Sequence, residues 1–293
     1  MTPSRHGRVA LVATAGFDET AAPIPTYPPP PYGGAVQADG ITSANTVGYT
    51  SQEVKAGQFY MVGVQFADVS AKADVANFNN FFATTCAPGE YGAGTDPSMG
   101  NAPQIQVLDA SGRGYTMYYY ISDAYDADEN QIEGNCWANQ DGYIVTDSDF
   151  QALGKGFWFK AMADGTITCA GQVTSKSDLE RPVTANQFNI VANTYPTALA
   201  LNSAKTTDFA PGEYGVGTDP SMGNAPQIQV LDASGRGYTM YYYISDAYDA
   251  DDQPVDGNCW VNQDGYMATG TQVPAGQSFW VKSESAGTFT FSL

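Results

Sequence analysis

Hydrophobic residues fall in short runs along the chain, each closed by Gly, Pro, Asn, Asp or Ser. In the first half the runs are 59–66, 104–108, 115–121, 142–145, 156–160 and 166–170. β-Branched and aromatic residues fill them, which predicts strands rather than helices. Between Gln104-Ile105-Gln106-Val107-Leu108 and Tyr115-Thr116-Met117-Tyr118 lies Asp109-Ala110-Ser111-Gly112-Arg113-Gly114. Its glycines can take the positive φ that a hairpin loop needs, so this is the clearest hairpin in the chain. Only 71–82 has a helical pattern, at a place where the first half carries extra residues relative to the second.

The pattern occurs twice. Residues 87–128 recur at 210–251 with one difference, Ala93 against Val216. The match continues through Gly134-Asn135-Cys136-Trp137 and Gly257-Asn258-Cys259-Trp260. It ends with Gly156-Phe157-Trp158-Phe159-Lys160 against Ser278-Phe279-Trp280-Val281-Lys282. Upstream, Gly57-Gln58-Phe59-Tyr60-Met61-Val62 aligns more loosely with Asn186-Gln187-Phe188-Asn189-Ile190-Val191. Each copy is long enough to bury its own core. The expected architecture is all-β: two tandem antiparallel β-sandwich or jelly-roll-like domains, at 35–173 and 174–293, behind an N-terminal arm at 1–34.

Pro23, Pro25 and Pro28 to Pro31 stiffen the arm, and Gly33-Gly34 gives it a hinge. Ahead of them, Gly7-Arg8-Val9-Ala10-Leu11-Val12-Ala13-Thr14-Ala15 is an apolar, β-prone run with no hydrophobic partner of its own. Through Val9, Leu11, Ala13 and Ala15 it could add as a donor strand to a neighbour's sheet. Head-to-tail contacts of that kind do not close, and they build fibres. The competing reading is a removed or disordered leader. Arg5, His6 and Arg8 ahead of Val9 have the charge order of a signal peptide, although Thr14 and Gly16 interrupt the run and Asp18-Glu19 end it. Assembly through the arm requires that the run is kept on export and is not folded back on its own chain.

Charge removes several partners. Twelve basic residues against thirty-one acidic ones give a formal net charge of −19, a field that repels nucleic acid and anionic lipid. No apolar window is long enough for a membrane span. With His6 the single histidine, neither copy can hold a Ser-His-Asp or Cys-His arrangement or a Cys/His zinc site. Nucleotide-binding loops are missing as well, since Gly92-Ala93-Gly94 lacks a third glycine and a helix. Acidic pairs of the glycosidase kind would have to recur in both copies, and Glu90 and Glu213 sit in turn contexts. The chain is expected not to be an enzyme and to need no cofactor.

Three features remain as candidates. Asp123, Asp126 and Asp128, repeated as Asp246, Asp249 and Asp251, gather hard oxygen ligands in a loop, as Ca²⁺ sites do, but without EF-hand spacing; a solvated acidic loop is the alternative. Tyr118-Tyr119-Tyr120 and Tyr241-Tyr242-Tyr243 alternate along a strand, so Tyr118, Tyr120, Tyr241 and Tyr243 are candidate contacts for a glycan or a protein partner. Tyrosines at a sheet boundary are the alternative there, and the four tryptophans are expected in the core. Cys86 and Cys169 align with Phe209 and Phe291. Their joint replacement suggests contact in the core and a Cys86–Cys169 disulfide, with Cys136 and Cys259 as buried free thiols.

Asn45-Thr46-Val47-Gly48-Tyr49-Thr50, followed by Val54-Lys55-Ala56-Gly57-Gln58-Phe59-Tyr60-Met61-Val62 and by Gly156-Phe157-Trp158, resembles a broad group of secreted β-domain proteins from planctomycete and verrucomicrobial bacteria. The second copy departs from it, with Arg181-Pro182-Val183 at the place of Val-Lys-Ala. The resemblance implies export and a role at the cell surface, and it supplies no catalytic residues. These features together lead to the expectation of a structural subunit of an extracellular filament, pilus-like fibre or surface layer, a homopolymer built through the arm. The alternative is a carbohydrate-binding or adhesive surface module.

Overall fold

The computed structural model describes residues 10–11, 47–67, 75–90, 101–146, 151–174, 178–195, 197–213, 224–232 and 237–292. In the first half these form β1 (Ala10–Leu11), β2 (Val47–Val54), β3 (Phe59–Gly63), β4 (Val75–Ala76), helix α1 (Phe78–Phe81) and β5 (Phe82–Thr84). They continue with β6 (Gln104–Leu108), β7 (Tyr115–Ile121), β8 (Cys136–Asn139), β9 (Gln151–Ala152), β10 (Gly156–Lys160) and β11 (Gly165–Gln172). The second half forms β12 (Asp178–Val183), β13 (Gln187–Ala192), β14 (Leu199–Ala200), β15 (Lys205–Thr207) and β16 (Gln227–Leu231). It ends with β17 (Tyr238–Ile244), β18 (Cys259–Val261), β19 (Gln272–Val273), β20 (Ser278–Ser283) and β21 (Gly287–Ser292).

All strand pairs are antiparallel, and each half builds two principal sheets. The first half has the orders β1-β2-β11-β5 and β3-β10-β6-β7-β8; the second has β12-β21-β15 and β13-β20-β16-β17-β18. The all-β fold read from the sequence is therefore the fold of the chain. Alternation along β10 shows how the sequence sets the layers. Phe157 and Phe159 point inward, where both stack edge-on against Phe82 of the other sheet at 5.3 and 5.6 Å, while Trp158 points out. Trp137 closes the core, and its indole N–H donates to the Phe82 carbonyl at 3.0 Å. In the second half Phe279, Phe289 and Phe291 form the equivalent cluster.

Three local expectations need correction. The helix read at 71–82 is a single turn, Phe78–Phe81, started by Asn77, whose side chain accepts from the Asn79 N–H. Val75–Ala76 and Phe82–Thr84 on either side are strands, because the Phe-rich run gains more by pairing with β11 and filling the sandwich than by coiling; 71–74 lie outside the described residues. The run 142–145 forms no strand, and Tyr143 and Ile144 make only isolated bridges to Tyr125 and Ala138. Cys86 and Cys169 form no disulfide, and all four cysteines are buried free thiols. Cys169 pairs with Phe82, whereas Cys86 sits beside Gly165, near the far end of the ladder. At about 3.3 Å per residue the two lie roughly 13 Å apart, against the 4.4–6.8 Å between Cα atoms that a bridge needs. Phe209, at the position of Cys86, covers Gly287 in the same manner. The paired Cys-to-Phe change therefore marks two sites on one inward face, not one contact.

The arm meets a sheet of its own chain. Ala10 and Leu11 pair with Tyr49 and Gly48 at the edge of β2. Two residues of the apolar run thus add as a strand, but in cis and not to a neighbour's sheet. Val9, Ala13 and Ala15 lie outside the described residues.

Outward-facing apolar residues of the two five-stranded sheets pack against each other and join the domains. Met61, Leu108 and Ile190 are buried in one cluster with Trp158, Leu231 and Trp280, and the Trp158 and Trp280 rings are 6.2 Å apart. Two backbone hydrogen bonds cross the join at equivalent places, Gly63 N–H to the Gly276 carbonyl at 2.9 Å and Ala192 N–H to the Gly154 carbonyl at 2.8 Å. The contact is thus close to twofold symmetric.

Candidate binding cleft between the domains

Where the joined faces diverge they leave an open cleft of about 290 Å³, lined by Leu108, Gly112, Arg113 and Tyr115 of the first domain and Phe188, Gln229, Tyr238 and Trp280 of the second. The hairpin expected from the sequence builds one wall. Its strands pair from Leu108–Tyr115 inward, and Asp109 ties the loop by accepting from the Ser111 N–H at 2.8 Å and its hydroxyl at 2.6 Å. Gly112 has φ 66°, the left-handed conformation the turn demands. Arg113, next in sequence, is thereby held at the rim.

Aromatic rings dominate the lining. Tyr115, Tyr238 and Phe188 are 41%, 42% and 36% exposed, large values for residues this apolar. Phe188 stands edge-on to Trp280 at 5.4 Å, and the Lys282 ammonium lies 5.7 Å from the Phe188 ring centre. Partial burial raises the Tyr115 phenol above its ordinary pKa, a hydrogen bond with Trp158 opposes this, and the Tyr238 phenol adds to the rise. The Tyr115 phenol therefore stays neutral across the physiological range and keeps its hydroxyl as a donor-acceptor. Arg113 makes no ion pair among the described residues. Such a cleft, concave and mainly apolar with a few polar groups, has the make-up of a small-ligand site.

The residues singled out from the sequence lie elsewhere. Tyr118 is 4% exposed in the main core, and Tyr120 is half-buried against Trp137. Tyr119 is buried on the opposite side of β7, in a small second core with Ile121, Cys136 and Ala138 that the loops on either side of β8 cover with Ala124, Ile132 and Ile144. Tyr241, Tyr242 and Tyr243 repeat this arrangement. Tyr120, Tyr241 and Tyr243 are thus half-buried against the main core, while Tyr119 and Tyr242 are buried on the other face of the strand. Trp137 and Trp260 are core, as expected, while Trp158 and Trp280 serve the join between domains.

Asp126 and Asp249 shape their own loops. Asp126 Oδ1 accepts from the Asp128 and Asn130 N–H groups, both at 2.9 Å, and Asp249 Oδ1 does the same for Asp251 and Gln253. Among the described residues no three His, Cys, Asp or Glu side chains converge to hold a metal. The carboxylates of Asp123, Asp126 and Asp128, and of Asp246, Asp249 and Asp251, are not brought together in such a group. The cleft was missed because its lining comes from both repeats and is scattered from 108 to 280; the one signal for it is Arg113, a cation in a hairpin loop of a strongly acidic chain. No family model and no curated protein matches this chain.

Proposed function

We propose that the protein is a non-catalytic secreted or surface module that binds carbohydrate in the cleft between its two domains. The observation that carries this reading is the exposure of Tyr115, Phe188 and Tyr238 around one concavity, beside Trp280, Arg113 and Gln229. Sugar rings present C–H faces that stack on aromatic rings, and hydroxyl rims that suit a guanidinium and an amide. A volume near 290 Å³ suits one or two sugar units. The test is a glycan array on the full chain, followed by calorimetry with the best binder. Tyr238→Ala and Trp280→Ala should each weaken binding at least tenfold, about 1.4 kcal/mol, while Tyr120→Ala leaves affinity unchanged. No glycan bound at millimolar concentration, or equal affinity in all three variants, overturns the reading.

A second reading, a self-associating structural subunit, keeps one supporting observation: the β2 edge accepts Ala10 and Leu11 of the arm as a strand, so assembly would require the arm to leave its own edge. Exchange of arms between copies would use the same edge and register. Removing residues 1–34 separates the possibilities. Loss of assembly supports exchange, whereas new concentration-dependent association means that the arm shields its own edge.

A further inference from the structure

The join between the domains is nearly symmetric, and two of its departures from symmetry fall on residues that face their own equivalents. Gly63 of β3 meets Ala192, its counterpart at the end of β13, and Gly156 of β10 meets Ser278, its counterpart in β20. A Cβ on Gly63 would overlap the Ala192 methyl. One on Gly156 would lie 2.6 Å from the Ser278 Cβ and overlap the Ile190 side chain. Neither glycine has a positive φ, so the opposing side chains of Ala192, Ile190 and Ser278, not turn geometry, are what require them. Ser278 is fully buried, and its hydroxyl donates to the Val62 carbonyl at 3.1 Å across the join. At these two self-facing positions, then, the first domain gives up a side chain and the second fills the space.

We propose that these two pairs make the contact directional: the face of the second domain accepts the face of the first and rejects a second copy of itself. A pairing of two second-domain faces would set Ala192 against Ala192 and Ser278 against Ser278, in gaps that hold one side chain each. The partner this surface fits is the Gly63/Gly156 face, on its own chain or on another copy. Duplication followed by this change turns a self-complementary surface into an internal seam, and bars one route by which tandem copies could link through like faces.

The full chain allows a direct test, because Gly63→Ala with Gly156→Ser gives both domains the second-domain type of face. The expected result is a molecule that keeps its far-ultraviolet spectrum, shows a larger radius of gyration by solution scattering, loses the near-ultraviolet Trp158–Trp280 signal and melts about 2–10 °C lower. Adding Ala192→Gly and Ser278→Gly inverts the polarity and should restore the wild-type radius and most of the melting temperature. If the paired glycine substitutions disrupt folding altogether, recovery in the fourfold variant still carries the proposal. A doubly substituted chain as compact as wild type, or a fourfold variant that stays open, overturns it.

Discussion

Asp126 illustrates what the acidic residues do at the scale of single side chains. Backbone donation from Asn130, then its side-chain amide, holds the Asp126 carboxyl below its usual range; for Asp109 the Ser111 hydroxyl is the main cause. A depressed folded pKa contributes stability that is present above the unfolded value near 3.9 and lost as pH falls through the folded one. Urea titrations should therefore show midpoints declining below about pH 4, with a shallower decline in Asp126→Ala. Cys169 has the opposite sign. Complete burial pushes its thiol up to about 12, so stability from the protonated form is full below the unfolded value of about 8.5 and drains as pH rises toward the folded one. Cys169→Val should flatten that alkaline limb. A thiol reagent at pH 8 should modify no cysteine in the native chain and all four after unfolding, and rapid native labelling would contradict the burial described here.

Strand β7 shows why an element cannot be judged from its alternation alone. Tyr118 and Tyr120 belong to one core and Tyr119 to another, because the loops flanking β8 fold over what would otherwise be the solvent side. Truncating Tyr118 should cost about 3–5 kcal/mol of unfolding free energy, as removal of a buried ring does, without altering ligand affinity. The cleft residue Tyr238, 42% exposed, should show the reverse: small loss of stability and large loss of binding. Edges follow a similar logic. In β12 Pro182 lacks a donor N–H and suits an edge position, whereas β2 carries no proline and takes the arm.

For the whole molecule the seam between domains is the deciding feature. Met61, Leu108 and Ile190 are buried in it, so the domains should unfold together, giving a single calorimetric transition. Trp158→Ala, which removes half of the tryptophan contact, should split or broaden that transition. Two well-separated transitions in the wild-type chain would show that the halves are thermodynamically independent. The cleft depends on the same seam, since Arg113 and Tyr115 lie across it from Phe188 and Trp280. Opening the seam should therefore abolish binding even with every lining residue intact.

Strand period, turn residues and the duplication determined the all-β class and the hairpin at Asp109–Gly114 from the sequence alone, because those signals are local and the backbone answers to them directly. The internal repeat likewise placed Phe209 and Phe291 opposite Cys86 and Cys169. Whether those side chains touch depends on register, and in this register they sit at different levels of one strand pair. Which tyrosines see solvent, where the arm lands and which residues line the cleft were decided only by tertiary structure. Each depends on a surface contributed by residues far away in the chain, and a linear pattern of polar and apolar positions carries no record of what packs over it.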